Sequence, residues 1–447
     1  MPVMRARLAV LRYMPPGLAA TVAWLLVGAL GIAVRDRWAL PSALVAMRGY
    51  GASHSTVALL LSTLPALAGL LLVPAVGLRS DRSRARLGRR RPWLLLCAPL
   101  SGLAMLGAAS APGLASASHA LLGHASPGVA ALETGWFCAC WALSDGAAAC
   151  TAALFAGLVN DVIPRAFIGR FYALNRIVGL GVAIVFNMLL LARTDTCLHA
   201  ILVAIAFACA VAVPLMCLRV REPPADAAPQ PPAAAPRPRV RVAIAQCLAQ
   251  PGSRWAFAVF MLAAAAFGPF NTFSLNYALE LGVSKAEFGA LTATGYAVSI
   301  ASAFVIGFLA DRFGALRIAA AALALYAPLA LAGSLLDLDA SMFCCIYLAH
   351  VILSGAYFTA AAAMPATLFP QAEFVRYNAS KDSLVAVANI VVGSSAGMLL
   401  DLSGHAYRLT LAGAALFSLA CLGCLCRLLA HGRVNSALAA AAEPVTP

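Results

Sequence analysis

Apolar residues fall along this chain in blocks of about twenty, each closed by a short polar or charged stretch. A helix needs ~20 apolar residues to cross about 30 Å of hydrocarbon, so the blocks predict a series of membrane-spanning helices. They lie near 17–34, 56–78, 92–111, 134–158, 171–192 and 198–218, and again near 255–279, 288–309, 318–336, 341–366, 382–402 and 408–430. Between the two sets, Arg219 to Arg254 contains REPPADAAPQPPAAAPRPRVR, a Pro- and Ala-rich stretch that cannot form a packed core and reads as a flexible cytoplasmic linker. The predicted organisation is all-α: twelve transmembrane helices in two pseudo-symmetric six-helix bundles, 1–218 and 254–430, joined by the linker 219–253 and followed by a cytoplasmic tail, 431–447.

The first block has an uncertain outer end, because Arg35, Asp36 and Arg37 interrupt an apolar stretch that continues to about Met47. The triplet is read as a solvated helix end; the alternative is a longer helix that holds it toward a polar cavity, which makes Asp36 a candidate binding residue. Upstream, MPVMRARLAVLRY is basic. A cleaved signal peptide needs a shorter core and a small-residue cleavage site before polar sequence, and more membrane follows here, so this block is expected to be a helix that starts on the cytoplasmic side.

Composition supports the membrane reading: the chain is 62% hydrophobic and 11% charged, with mean hydropathy +0.88, whereas soluble domains carry roughly 25% charged residues. The net charge of +14 does not indicate nucleic acid, because the bases are nearly all arginines at the ends of apolar blocks, with Lys285 and Lys381 the only lysines. The 13 cysteines sit mostly inside apolar blocks, and Cys421, Cys424 and Cys426 have no His or acid at ligand spacing, so no metal or cofactor is expected. No Gly-x4-Gly-Lys-Ser/Thr motif is present, so any energy would come from a gradient and the chain is not expected to be an enzyme.

The most basic stretch, Gly77 to Pro92 (GLRSDRSRARLGRRRP), puts seven arginines between two apolar blocks and pins that loop to the cytoplasmic side. A shorter copy, GFLADRFGALR, runs from Gly307 to Arg317. Both keep Gly-x-x-x-Asp-Arg (Gly77, Asp81, Arg82; Gly307, Asp311, Arg312) followed by Gly and further arginine, as Gly88, Arg89 and Arg90 in the first. A motif repeated half a chain apart suggests two related halves. Pro164-x5-Arg170 and Pro370-x5-Arg376 form a second, weaker echo. The loops assigned inside hold the arginines, while Ser110 to Glu133 holds no Arg or Lys, so both termini are expected in the cytoplasm.

An ionisable group inside an apolar helix is costly unless it faces a cavity or a partner. Asp145 lies in the middle of its block, and Arg176 lies about a turn and a half into the next. A direct pair between them is one arrangement; alternatively Arg176 snorkels or neutralises the acids Asp161 and Asp81. Asp145 is read as a proton or substrate acceptor, against a structural carboxylate tied to a neighbouring helix. Trp141, four residues earlier, shares its face and offers a ring to a sugar, and Asn187 returns to nearly the face of Arg176. In the second half Asn271, Thr272, Asn276, Tyr277 and Tyr296 either line a cavity or hold helices together. His199 and His350 are read as satisfied, non-catalytic histidines, and Gly393-x3-Gly397 as a close-packing face. Asp81, Asp311, Asp161 and the arginines around them are assigned to a cytoplasmic gate.

At these residues the chain resembles the major facilitator superfamily over nearly its whole length. Ser80-Asp81-Arg82 through Gly88-Arg89-Arg90-Arg91-Pro92 is similar to the loop of sucrose-type symporters, which carry an insertion between Asp-Arg and Gly-Arg-Arg-Arg-Pro. Asn160-Asp161-Val162-Ile163-Pro164 to Gly169-Arg170-Phe171-Tyr172 resembles the matching loop of relatives of the glycoside-pentoside-hexuronide symporters. The resemblance implies cation-coupled uptake of a sugar or glycoside across the cell (plasma or inner) membrane by a monomer, with a proton as the expected ion. It also implies contact between Asp145 and sugar or ion. The chain departs from the pattern at Gly28-Ala29-Leu30-Gly31, where relatives often carry an acid, and no acid of the second block precedes Asp81, which leaves coupling by Asp145 alone or facilitated diffusion as the options. An exporter of amphipathic small molecules and a non-transporting membrane assembly protein on the same fold remain the alternatives.

Overall fold

The computed structural model describes residues 16–81, 83, 85, 87–222, 240–249, 253–369 and 374–442. Helices account for nearly all of them, and no strand occurs among the described residues. In chain order they are α1 (Pro16–Gly49), α2 (His54–Ala58, a π turn at Leu59–Thr63, then Leu64–Asp81), α3 (Arg91–Ala109), α4 (Ala111–Leu122), α5 (Val129–Val162), α6 (Arg165–Val185), α7 (Thr194–Arg219) and α8 (Val240–Ala249). Then come α9 (Ser253–Glu280), α10 (Lys285–Phe313), α11 (Ala315–Leu335), α12 (Ala340–Ala361), the short α13 (Met364–Leu368), α14 (Phe374–Leu402) and α15 (Arg408–Ala442).

Eleven stretches among the described residues are long and apolar enough to cross a membrane. One of them, Phe171–Arg219, has 49 residues, or ~73 Å of helix at 1.5 Å per residue, far more than one crossing needs. A π turn at Phe186–Leu190 and a 3-10 turn at Leu191–Arg193 break it into α6 and α7, which both pack on α1. Counted as two, it gives the twelve spans that the apolar blocks predict. The chain is a multi-pass membrane protein.

Local signals explain several helix ends. The Ser53 hydroxyl accepts the Thr56 N–H at the start of α2, and Ser284 and Glu287 form a capping box on α10. Asp339 caps α12 by accepting the Met342 N–H at 2.7 Å, which with the Ser341 hydroxyl holds its carboxyl below the usual carboxylate range.

The described chain divides into two compact units, Met1–Ala52 with Leu67–Ala233, and Ser53–Ala66 with Ala234–Pro447. The segment Ser53–Ala66, expected in the bundle 1–218, therefore packs within the second unit. In the first unit α1, α3, α5 and α7 bury Leu25, Leu94, Leu154, Leu158, Val213 and Met216. Small residues let these helices approach: a Cβ on Gly31 would stand 2.7 Å from the Ala208 carbonyl, and one on Gly102 2.6 Å from that of Ala206. In the second unit Phe267, Tyr326, Tyr357 and Leu425 centre a core of α9, α11, α12 and α15.

Gly393-x3-Gly397 is the close-packing face that its spacing suggests. A Cβ on Gly397 would lie 2.5 Å from the Ala58 Cβ and 2.6 Å from the His54 carbonyl, and one on Gly393 would collide with the Ser62 hydroxyl. Beside them the Thr63 and Ser394 hydroxyls share a hydrogen bond of 2.6 Å. Gly397→Val is expected to force the start of α2 off α14 and lower the detergent-solubilised Tm by several degrees, while Gly413→Ala, with open space around its Cβ, leaves Tm unchanged. Differential scanning fluorimetry checks both.

Four expectations need adjustment. The linker 219–253 is not unstructured throughout: Val240–Ala249 is helical, and Cys247 is fully buried against Phe257, Phe369 and Tyr377. Residues 223–239 lie outside the described residues. The arginine-free stretch from Ser110 to Glu133 is mostly helical: Ser110 ends α3, Pro112 lies in the first turn of α4 (Ala111–Leu122), and α5 already begins at Val129. The last helix continues to Ala442, so most of the tail 431–447 extends α15. Finally, α1 runs unbroken through Arg35, Asp36 and Arg37 to Gly49; the triplet is not a helix end.

Candidate functional site

The unbroken α1 sets up the site of the first unit. Arg35, mid-helix, has a side chain only 9% exposed, and its Nη2 donates to Asp145 Oδ1 of α5 at 2.6 Å. Asp145 is itself only 15% exposed. A buried charge is tolerated when a partner of opposite sign sits at hydrogen-bond distance, and each of these residues supplies that for the other. Arg35 Nη1 also stands 3.7 Å from Asp36, whose side chain is 47% exposed.

An aromatic column on α5 supports the pair. Phe137, Trp141 and Asp145 recur every four residues and share one face. Tyr50 meets Phe137 edge-on at 5.6 Å, Phe137 stacks on Trp141 at 5.8 Å, and the Arg35 guanidinium lies 5.8 Å from the Trp141 ring. Burial and the neighbouring Glu133 carboxylate push the Tyr50 phenol up to about 12. Trp141 is 2% exposed. Its ring is therefore packed against Phe137 and Arg35 and is not an open platform for a sugar. Arg35 Nε and Trp141 Nε1 are buried and have no hydrogen-bond partner among the described residues. Two N–H donors in this cluster thus remain unspent.

The remaining residues expected here are distributed around this centre. The cation that reaches Asp145 belongs to Arg35, not to Arg176. Arg176 is half-buried on α6 and lies close enough to Arg37 to feel its charge. Asn187 is buried in the π turn after α6 and donates to the Ala183 carbonyl at 2.8 Å; its neighbour Phe186 packs on Trp38. It serves its own helix end. His199 contacts the Ala109 carbonyl at 3.0 Å.

The arginine-rich loop is built into a clamp within the same unit. Arg89 Nη2 and Arg90 Nε both donate to Asp161 Oδ2 at the end of α5, at 3.1 and 2.7 Å. Gly157 leaves room for the Arg90 guanidinium, whose Nε would lie 2.7 Å from a Cβ there. The N-terminus of α3 is closed by Glu222, just past α7. Its carboxylate accepts the backbone N–H groups of Arg89 at 2.6 Å, Arg90 at 3.0 Å and Arg91 at 2.8 Å. Gly88, at φ +103, is required at the turn, since a Cβ there would also strike Glu222. Glu222 is the anion at this helix start. Its one sequence signal is an acid between Arg221 and Pro223 directly after an apolar block. Asp161 is neutralised by Arg89 and Arg90, so Arg176 is not needed for that.

The side chains of Asp81, Arg82, Arg170, Asp311 and Arg376 lie outside the described residues. Gly77 and Gly307 have open space where a Cβ would be, so packing does not demand glycine at either. Arg312 is exposed and lies over the Phe313 ring.

In the second unit the polar residues serve packing more than a cavity. His350 is fully buried, with Nε2 2.9 Å from Asn271 Oδ1 and Nδ1 2.8 Å from the Tyr326 hydroxyl. An amide oxygen only accepts, so Nε2 carries the proton and Nδ1 accepts from tyrosine. His350 is thus satisfied on both sides, and Asn271 is its partner. Tyr277 is buried, stacked on Tyr407 and edge-on to Phe343, which removes it from any open wall. Tyr296 is half-buried beside Tyr347. Thr272, with Ser62 and Asn389, lines a small, mainly apolar recess of about 30 Å³.

Comparison with known proteins fits this architecture. Residues 47–414 match the family described as MFS/sugar transport protein. Among solved structures, a mutant of the nucleoside transporter NupG superposes with a TM-score of 0.69 at 13% identity, covering 92% of this chain and 99% of that one. A bacterial homolog of the human lysosomal transporter Spinster, inward-facing and occupied, gives 0.65 at 14% identity over 93% and 97%. The D-xylose–proton symporter gives 0.62 at 16% identity over 91% and 96%. No curated protein matches the sequence. At these identities the structural likenesses establish the fold.

Proposed function

Because the chain belongs to the MFS/sugar transport protein family, we propose that it is a cation-coupled symporter that takes up a sugar or glycoside by alternating access. The observation that carries the reading is the buried Arg35–Asp145 pair with two unspent donors beside it. Asp145 accepts either a proton or the hydrogen bonds of a hydroxylated solute. When its charge is neutralised, Arg35 loses its partner and its N–H groups become free to bind solute oxygens. Proton and solute occupancy are thereby linked through one carboxylate, the minimum that symport requires.

A proton is the expected ion, taken up at Asp145, with Asp36 as a second carboxylate on the Arg35 guanidinium. The protein is expected to act as a monomer in the cell membrane with the arginine-rich loops and both termini in the cytoplasm. The solute is expected to be sugar-like, as implied by the name of the family and by the solute named for the xylose symporter.

One observation favours the exporter reading. The second unit holds a recess of about 300 Å³, lined by Val391, Leu399, Leu400 and Phe417 with Thr410 and Ser395 as its polar margin. An apolar solute fits such walls. Proteoliposomes separate the two readings. With an inward proton gradient, accumulation of one labelled sugar from a panel, abolished by protonophore, supports symport; no sugar accumulation together with gradient-driven expulsion of an amphipathic dye supports export.

A further inference from the structure

We propose that His54, Asp401 and His405 form a binding site for a divalent transition metal of the Zn2+ class, at the end of α2 remote from the arginine-rich loop. The three come from separate places: the first turn of α2, the last turn of α14, and the loop between α14 and α15. Their candidate ligand atoms all lie within 4.8 Å of one another. His54 Nδ1 stands 3.0 Å from Asp401 Oδ1, close to the ~3.3 Å edge between two ligands of a tetrahedral ion with bonds of about 2.0 Å. The His54 and His405 rings face each other with centroids 4.5 Å apart. Rotation of His405, which is exposed on the loop, brings its nitrogen into range.

The surroundings of the cluster suit a metal ligand set. A ligating histidine donates its other ring N–H to an oxygen, and His54 Nε2 has the Tyr407 hydroxyl at 2.6 Å for that purpose. When a cation takes Nδ1, the proton on neutral His54 moves to Nε2 and is held there by Tyr407. Asp401 keeps capacity as well. Oδ1 accepts the His54 N–H at 2.8 Å, and its remaining lone pair points to Nδ1, where the ion would sit. Oδ2 is occupied separately by the Ser55 N–H and hydroxyl. Those bonds hold the carboxylate in place without consuming the ligand position.

His405 is the one non-glycine residue with positive φ among the described residues, at +69°, directly after Gly404 at +64°. This left-handed pair turns the loop back so that His405 faces His54 instead of following α14 outward. Two imidazoles and one carboxylate are a borderline donor set that prefers Zn2+, Ni2+ or Cu2+ over Mg2+ and Ca2+, and the fourth position is left to water. Glu280, near enough to act on His54, adds negative potential. The ion would tie the start of α2 to the end of α14 and its loop.

The test is a calorimetric titration of the full-length protein in detergent, with any affinity tag removed, using ZnCl2 and separately MgCl2. One Zn2+ per chain is expected, with no Mg2+ heat. His405→Ala, in an exposed loop, should weaken Zn2+ binding by about tenfold or more and abolish the ligand-field absorption of bound Co2+. Asp401→Asn should behave likewise, and His119→Ala, outside the cluster, should match the wild type. Absence of Zn2+ binding, or equal affinity in His405→Ala and the wild type, overturns the proposal.

Discussion

Asp145→Asn is expected to abolish concentrative uptake while the protein still inserts in the membrane. The substitution keeps the shape of the side chain but removes the carboxylate that accepts from Arg35 Nη2 at 2.6 Å. Arg35, 9% exposed, then keeps only the longer 3.7 Å contact to Asp36, a change that costs up to about 3 kcal/mol. The detergent-solubilised Tm should therefore fall as well. The double variant Arg35→Gln with Asp145→Asn removes both charges and should recover most of the lost Tm, since two neutral amides cost less to bury than one stranded charge. It should not recover accumulation. If the double variant accumulates solute as the wild type does, the pair is a structural tie and the coupling role assigned to Asp145 fails.

Glu222→Ala should give the second-largest effect, with a different signature. One carboxylate satisfies three backbone N–H groups at the start of α3, where the helix dipole also favours negative charge. Losing those bonds is expected to cost about 2 kcal/mol and to loosen the loop that holds Arg89 and Arg90 on Asp161. Transport rate and Tm should both fall while the ranking of solutes in a competition panel stays the same. Glu222→Asp, one methylene shorter, should recover part of the effect. A changed solute ranking in Glu222→Ala would place the clamp in the binding site instead.

The two variants separate two kinds of charged group on the same unit. Asp145 sits at the middle of a 34-residue helix, and its proposed chemistry is coupling. Glu222, Asp161, Arg89 and Arg90 sit where helices end, and their chemistry concerns how loops are tied.

The spans, the arginine-rich ends and the packing glycines of α14 were legible in the sequence because each depends on local composition. Twenty apolar residues in a row require lipid or a core whatever their neighbours are, and Gly393-x3-Gly397 marks one face of a helix. Asp145 was legible as a costly mid-helix charge. Its partner was not. Arg35 lies 110 residues away, and with Asp36 and Arg37 it resembles a helix end until α1 is seen to continue through it. Trp141 was placed on the correct face, but whether a face meets solute or another aromatic ring depends on the neighbouring helices, and here Phe137 and Arg35 cover it.

The sequence by itself determined an all-helical membrane protein with about twelve spans and a mid-helix carboxylate, because those properties follow from how many apolar residues occur in succession and where charge interrupts them. Only the tertiary structure decided which charges meet: Arg35 with Asp145, Glu222 with the start of α3, His54 with Asp401 across 347 residues of chain. The reason is that helical periodicity specifies a face but not its neighbour. The π turns at Leu59–Thr63 and Phe186–Leu190 further rotate the faces beyond them, so the pairing of helices depends on their packing against one another.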